Sequence, residues 1–225
     1  MATLAIAAVA TGFSTTYFIP IARGTFAGPS IAHVHGLLFM TWIAAMLVQP
    51  MLVRQKKSGL HRKLGLIALP LAGAMAVSGL AVGTFAVGRD LAAGVGDFAY
   101  SQLIGVAAAM IIFLAYVSIA LAARKKPDWH KRMMLLATIA ILWPAWFRFR
   151  HLLPFVPRPD IILGVVVSDS LVLVAMVRDR LKFGRIHPAY LIFGSLLIAE
   201  HVFEILLFDT PIWRAAASAI YQALV

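Results

Sequence analysis

Hydrophobic residues along this chain are grouped into seven long runs, which short polar turns separate. Each run is long enough to cross a hydrocarbon core of ~30 Å as a helix, which takes about 20 apolar residues. Numbered as spans one to seven, the runs lie at residues 2–22, 31–53, 62–88, 100–123, 131–151, 160–177 and 188–208. The pattern predicts an all-α fold, a polytopic membrane helix bundle of about seven transmembrane helices within residues 1–208. Residues 209–225 are predicted to form a short interfacial segment on the outer surface.

The basic residues are concentrated in three of the turns. The turns between spans two and three, four and five, and six and seven carry five, five and four Lys or Arg, which is fourteen of the twenty in the chain. Short loops rich in lysine and arginine stay on the cytoplasmic side. We therefore predict that the N-terminus is inside and the C-terminus outside. Because the basic residues lie in loops and not on one continuous face, the net charge of +11 does not indicate a nucleic-acid partner.

The composition excludes several classes of protein. With 62% hydrophobic and 13% charged residues, the chain is too apolar for an ordinary soluble domain and is expected to contact a lipid bilayer. Cysteine is absent, so disulfides, thiolate metal sites and thiol catalysis are excluded. The N-terminal residues lack the basic region and cleavage site of a signal peptide, so Met1 onward is interpreted as the first span.

Ionisable side chains inside the spans are candidates for function, because burying them in a membrane is costly. The seven histidines fall near two levels of the predicted bundle. The inner level, where each histidine begins a span, holds His61, His130 and His187. The outer level holds His33, His35, His151 and His201, with Glu200 and Glu204 beside the last, and Asp169 lies halfway along span six.

The spacing of His187 and His201 is the most informative of these patterns. Fourteen residues are close to four turns of an α-helix, which is about 21 Å of rise on nearly one face. Two stacked b-type haems require such a separation between axial imidazole ligands. The cofactor-binding candidates are therefore His35, His61, His130, His151, His187 and His201, with Arg148 and Arg150 placed to pair haem propionates. At the inner level the second ligand is His61 or His130, and at the outer level it is His35, His151 or His33.

Two other interpretations remain open. Zinc or another metal has candidate ligands in His61, His130, His187, His201 and Glu204, and Asp128 or Asp179 lies near the inner three. A three-histidine site with an open water position would suit a membrane hydrolase. Alternatively, the histidines at the membrane boundary contact lipid headgroups, and the chain is a non-catalytic accessory or assembly subunit of a larger complex or oligomer. A retinal-binding pump is excluded because span seven has no lysine.

One segment also carries a family resemblance. Gln49, Arg54 and Leu60-His61-Arg62-Lys63-Leu64-Gly65, followed by Ser78-Gly79, resemble a motif of an uncharacterised family of bacterial inner-membrane proteins. That family loosely resembles the two-haem cytochrome b superfamily, which includes the cytochrome b561 and ferric-reductase types. The resemblance covers roughly residues 30–88 and implies a multi-pass protein of the bacterial inner membrane.

What this resemblance implies is haem held between histidines of different spans. The expected function is electron transfer between a quinone or cytoplasmic donor and an outer acceptor. The chain departs from the two-haem pattern because span four has no histidine. We also expect several polar side chains to converge in the outer half of the membrane, namely His201, Glu204, His35, His151 and Arg148.

Overall fold

The computed structural model describes residues 2–225, and within that range the chain is helical and contains no β-strand. The helices that make up the spans have the following bounds. Span one is Ala2–Gly12, Ser14–Phe18 and Ile19–Ala22; span two is Ser30–Arg54; span three is Ser58–Gly65 and Ala68–Ala92. Span four is Gly96–Ser101 and Gln102–Ala122, and span five is Pro127–Ala140, Trp143–Phe147 and Arg148–His151. Span six is Asp160–Val167 and Ser168–Phe183, span seven is Tyr190–Gly194 and Ser195–Leu207, and a last helix is Pro211–Leu224.

The all-helical membrane architecture predicted from the sequence is confirmed in outline. Six helical stretches, spans two to seven, are long and apolar enough to cross a membrane. The two halves of span one are bent by 46° relative to each other, and if they are counted together as one broken span, they add a seventh. Antiparallel neighbours put the turns 55–57, 123–126 and 184–189 at one end of the bundle, called here the basic end. The other end is called the opposite end.

The bend in span one has a local cause. Pro20 lies in the second half, seven residues after the break at Phe13, and has no N–H to donate to the turn that precedes it. The preceding residues adopt a π-helical pattern, in which the Phe18 N–H bonds to the Phe13 carbonyl at 3.1 Å. Ser14 donates its hydroxyl to the Thr11 carbonyl at 2.6 Å, which satisfies a backbone group near the break.

The core lies where spans two, three, four and five pack together. Gly79 and Gly83 allow spans three and four to approach closely, because the missing side chain at Gly79 leaves room for Met110. Trp42 of span two is buried in the centre, and its indole N–H donates to the Thr138 hydroxyl of span five at 3.1 Å.

Several helix ends differ from the prediction, and spans four and five begin at Gly96 and Pro127, four residues earlier than predicted. Span three begins at Ser58 and not at residue 62, so His61 lies within its first turns. Span six continues to Phe183 and not 177, where Gly184 ends it with a left-handed φ of 72°. The extensions of spans three and six are rich in polar and charged residues, which lower the hydropathy although the helix continues.

The C-terminal segment is a helix that packs against the opposite end. Thr210 caps it by accepting the Trp213 N–H at 3.4 Å, and the Trp213 indole donates to the Ser101 carbonyl at 2.8 Å. Asp209 accepts hydrogen bonds from Arg214 and Ser101, both at 2.7 Å. These two bonds lower the pKa of Asp209, and the bond from Arg214 has the larger effect.

Candidate functional site

The structure brings two of the predicted histidines together at the basic end. His61 lies in the first turns of span three, and His130 lies in the first turns of span five. Their ring centroids are 6.3 Å apart with the ring planes at 84°. Both side chains are partly buried. The two turns that precede them are similar in sequence, and the packing of their spans makes the histidines neighbours.

Hydrogen bonds at Nδ1 orient both rings. His130 Nδ1 is 2.8 Å from the carbonyl of Ala120, so the proton is on Nδ1 and the Nε2 lone pair is free. His61 Nδ1 contacts the side-chain amide of Gln49. With the amide nitrogen towards His61, that nitrogen donates to Nδ1 at 2.6 Å and the amide oxygen accepts from Gly65 N at 3.3 Å. The same nitrogen donates to the His61 carbonyl at 3.2 Å, and because Nδ1 accepts here, the ring proton lies on Nε2. Rotating the amide would present its oxygen to Nδ1–H and free Nε2 of His61, with loss of the hydrogen bonds to the His61 carbonyl and Gly65 N.

The third inner histidine does not join this pair. His187 Nδ1 accepts the Ala189 N–H at 3.1 Å, which caps the start of span seven, and its ring packs on Trp129 with centroids 5.1 Å apart. Burial, assisted by the charge of Arg132, lowers the pKa of His187. A helix-capping role accounts for these contacts.

The fourteen-residue spacing therefore does not have the meaning that an ideal helix would give it. His187 precedes the helix, and residues Tyr190–Gly194 form a π-helical segment between it and His201. A π-helical turn holds one more residue than an α-helical turn. The fourteen residues between the two histidines therefore do not equal four α-helical turns, and a shared face for His187 and His201 stays a prediction.

The carboxylates near the inner histidines are already engaged. Arg132 of span five donates to both oxygens of Asp179, at 2.7 and 2.9 Å, and to Asp128 Oδ1 at 3.2 Å. Within residues 2–225, no group of three or more His, Asp or Glu side chains is placed to hold one metal ion. The zinc interpretation, which needs three protein ligands, finds no such set here.

At the opposite end, His201 pairs with Asp169. His201 Nδ1 lies 2.8 Å from Asp169 Oδ1, which joins spans seven and six, and both residues are buried at 5% and 6% exposure. His201 Nε2 lies 3.7 Å from Glu200 Oε2. The carboxylate of Glu204 lies against Gly105 of span four, where an added Cβ would overlap it.

The other polar residues of the opposite end have separate partners. His35 Nδ1 is 3.3 Å from the Ser78 hydroxyl of span three, and His33 Nδ1 is 3.0 Å from the Tyr17 hydroxyl. His151 is exposed at the end of span five. None of these three histidines is hydrogen-bonded to His201 or Glu204, and the expected convergence of His201, Glu204, His35, His151 and Arg148 on one site stays a prediction.

The two arginines at this end stack on aromatic rings. Arg148 lies over Phe13 with its Cζ 4.2 Å from the ring centroid, and Arg150 lies over Phe147 at 3.8 Å. Arg148 donates to the Pro144 carbonyl at 2.9 Å. In the part of the chain that the structure describes, neither arginine is within 4.0 Å of a carboxylate. Their predicted role in pairing propionates stays a prediction.

Three of these relationships were not predicted from sequence. The contact of Gln49 with His61 is the first, since the sequence indicated Gln49 only as part of the turn motif. The Arg132–Asp179 pair joins residues 47 positions apart, and no local pattern indicates it. The third is the pairing of Asp169 with His201. The sequence indicates it only by placing an ionisable residue well inside each of spans six and seven.

Comparison with protein-family models, with curated proteins and with solved structures finds no match for this chain.

Proposed function

We propose that this chain is an integral membrane protein that binds b-type haem between His61 and His130 and transfers electrons. The observation that carries the proposal is the placement of these two rings, with centroids 6.3 Å apart and both Nδ1 atoms in hydrogen bonds. With metal–nitrogen bonds of about 2 Å and ring centres about 1 Å behind the nitrogens, two imidazoles sharing one metal have centres roughly 6 Å apart. The observed separation agrees with that requirement.

The number of ligands favours haem over zinc. A haem iron already has four nitrogens from its macrocycle, so the protein supplies at most two axial ligands. Zinc takes three or four protein ligands. Two histidines from different spans, with no third His, Asp or Glu beside them among residues 2–225, fit the first case.

The surroundings of His130 support an axial role for its ring. The Ala120 carbonyl holds the proton of His130 on Nδ1, which leaves Nε2 as the nitrogen that would bind a metal and makes it more basic. Ligation by Nε2 of His61 requires the other orientation of the Gln49 amide, in which its oxygen accepts from Nδ1–H. Arg62 and Lys63, next to His61, supply positive charge for propionates at the basic end. When bound, such a haem carries one electron reversibly between its ferric and ferrous states.

The position of the pair indicates the direction of transfer. The charge pattern predicts that the basic end is cytoplasmic. A haem there would exchange electrons with a quinone or a cytoplasmic donor, and the acceptor would lie towards the outer side. The opposite end has no second pair of neighbouring histidines among the described residues, so the proposal is for one haem.

The test is the absorption spectrum of the protein purified in detergent after expression with added haem precursor, with a pyridine-haemochrome assay of haem content. We expect a Soret band that is lost in His61→Ala and in His130→Ala. Gln49→Leu should weaken haem binding by ~10-fold or more, as for other partners of ligating histidines. His33→Ala, at the opposite end, is the matched control and should keep its haem. A wild type without a Soret band, or full haem content in both inner variants, would reject the proposal.

A further inference from the structure

The His201 cluster, defined as Asp169, Glu200, His201 and Glu204, is separate from the histidine pair at the basic end. His201 and Asp169 are both buried and joined by a 2.8 Å hydrogen bond between two spans. Glu200 Oε2 lies 3.7 Å from the other nitrogen of the same imidazole. One ring thus stands between two carboxyl groups.

The charges of this cluster do not balance. It contains three carboxyl groups and one imidazole, and no Lys or Arg nitrogen in residues 2–225 lies within 4.0 Å of any of these carboxyl oxygens. With every carboxyl ionised and the imidazole protonated, the cluster would carry a charge of −2 within the membrane. Charges at membrane depth are costly unless they are paired or neutralised. A bound proton is the simplest way to remove this cost.

The backbone around the cluster is also unusual. Spans six and seven each contain a π-helical segment just before the cluster, at Asp160–Val167 and Tyr190–Gly194. The two segments lie in neighbouring helices, and Gly194 packs against Val172. Such segments are infrequent and concentrate at functional sites, because the extra residue re-aims the side chains that follow. Here the side chains that follow are those of the cluster.

We propose that the His201 cluster is a proton-binding site that exchanges protons with the outer side of the membrane. In the transfer step, the carboxyl proton of Glu200 passes to Nε2 of His201 while Nδ1 gives its proton to Oδ1 of Asp169. The O–H bond of Glu200 and the N–H bond at Nδ1 break, an N–H bond at Nε2 and an O–H bond on Asp169 form, and the total charge is unchanged. The 3.7 Å gap needs one bridging water or a small rotation of Glu200.

The neighbouring groups define the direction of exchange. Glu200 and Glu204 are only partly buried, whereas His201 and Asp169 are buried, so the carboxyls of span seven are the members of the cluster that reach the surface of the bundle. Span four contributes Gly105 beside Glu204 and the Tyr116 hydroxyl, which donates to the Phe193 carbonyl at 2.6 Å. Span six contributes Asp169. The cluster contains no haem-ligand candidate except His201, and its proton binding does not depend on the proposed function.

The experiment is infrared spectroscopy of the purified protein in lipid nanodiscs, following the C=O absorption of protonated carboxyl groups. We expect this absorption in the wild type at neutral pH, its loss at alkaline pH, and a shift on transfer to deuterated water. Asp169→Asn and Glu204→Gln should each reduce or shift it. Asp160→Asn is the matched control, because that carboxylate is exposed and pairs with Arg158; it should leave the absorption unchanged.

Three results would overturn the proposal. The first is a wild type with no protonated-carboxyl absorption at neutral pH. The second is an absorption that does not shift in deuterated water, which would exclude exchange. The third is the same absorption in all variants. The first two are measured on the wild type, so they decide the matter even where a variant does not fold, and neither depends on whether the protein carries haem.

Discussion

Arg132 and Asp179 form a bidentate ion pair inside the basic end, with N···O distances of 2.7 and 2.9 Å. The side chains are only 5% and 3% exposed, and the guanidinium also lies over the rings of Phe183 and Tyr190. The pair connects the start of span five to the end of span six. It also explains why Asp179 is not free to join the nearby histidines.

Removing one partner of this pair should destabilise the protein strongly. Arg132→Met leaves Asp179 buried and uncompensated, which typically costs about 3–5 kcal/mol. Asp179→Asn should cost less, because Asp128 still accepts hydrogen bonds from Arg132. The double variant Arg132→Met/Asp179→Leu should recover most of the loss in Arg132→Met, because no charge remains buried. Thermal unfolding in detergent measures this, with Arg158→Met as an exposed control. A double variant as unstable as the singles would show that the ion pair itself is required.

Gly12 is predicted to be intolerant of any side chain. A Cβ there would overlap the backbone carbonyl oxygen of Ala145, so spans one and five would have to move apart. Overpacking of this kind costs about 1–3 kcal/mol. Gly73→Ala is the matched control, since nothing lies within 4 Å of its added Cβ, and Ala favours a helix over Gly by roughly 0.5–1 kcal/mol. Equal melting temperatures for the two variants would contradict the packing of span one.

Gly105 and Glu204 should be energetically coupled. Gly105→Ala forces the Glu204 carboxylate out of its place against span four. Because the displaced atoms are the far end of a flexible side chain, Gly105→Ala should cost less than about 1 kcal/mol in the wild type, and in a Glu204→Ala background, where the overlapping group is absent, it should stabilise the helix by roughly 0.5–1 kcal/mol. A double-mutant cycle of unfolding free energies measures the coupling. Additive effects would place Glu204 elsewhere.

The C-terminal helix should detach in acid. The hydrogen bonds from Arg214 and Ser101 lower the pKa of Asp209 below its ordinary value. A carboxyl with a depressed pKa contributes stability that is complete above its unfolded pKa, about 3.9 for Asp, and is lost as the pH falls through the folded pKa. The protection of the amides of residues 211–224 against hydrogen exchange, relative to their intrinsic exchange rates, should therefore fall as the pH falls through the folded pKa of Asp209.

The control for this prediction is a pair of variants. Asp209→Asn removes the carboxylate, so exchange of residues 211–224 should be raised already at neutral pH and should no longer depend on acid. Asp160→Asn, which removes a carboxylate from a different turn, should behave like the wild type. A wild-type helix whose exchange is insensitive to acid would mean that Trp213, bonded to the Ser101 carbonyl, is sufficient to hold it.

Sequence alone determined the helical membrane architecture of this protein. Its apolar runs predict about seven spans and their approximate bounds, because the bilayer thickness fixes how many apolar residues a helix needs, and six or seven helical stretches of the structure are long and apolar enough to cross a membrane. The sequence misplaced the ends of helices that continue into polar residues, as at Ser58 and Phe183, since hydropathy does not detect a helix beyond its apolar part. The inside–outside orientation stays a prediction from the basic turns.

Tertiary structure decided which of the predicted residues meet. His61 and His130 are 69 positions apart in sequence, and His201 and Asp169 are 32 apart, so only the packing of spans makes them neighbours. The π-helical segment at Tyr190–Gly194 interrupts the α-helical repeat between His187 and His201, and no periodicity rule based on 3.6 residues per turn anticipates it. Local residue patterns specify single helices, whereas a site built across helices depends on their rotation and contact, which the whole fold sets.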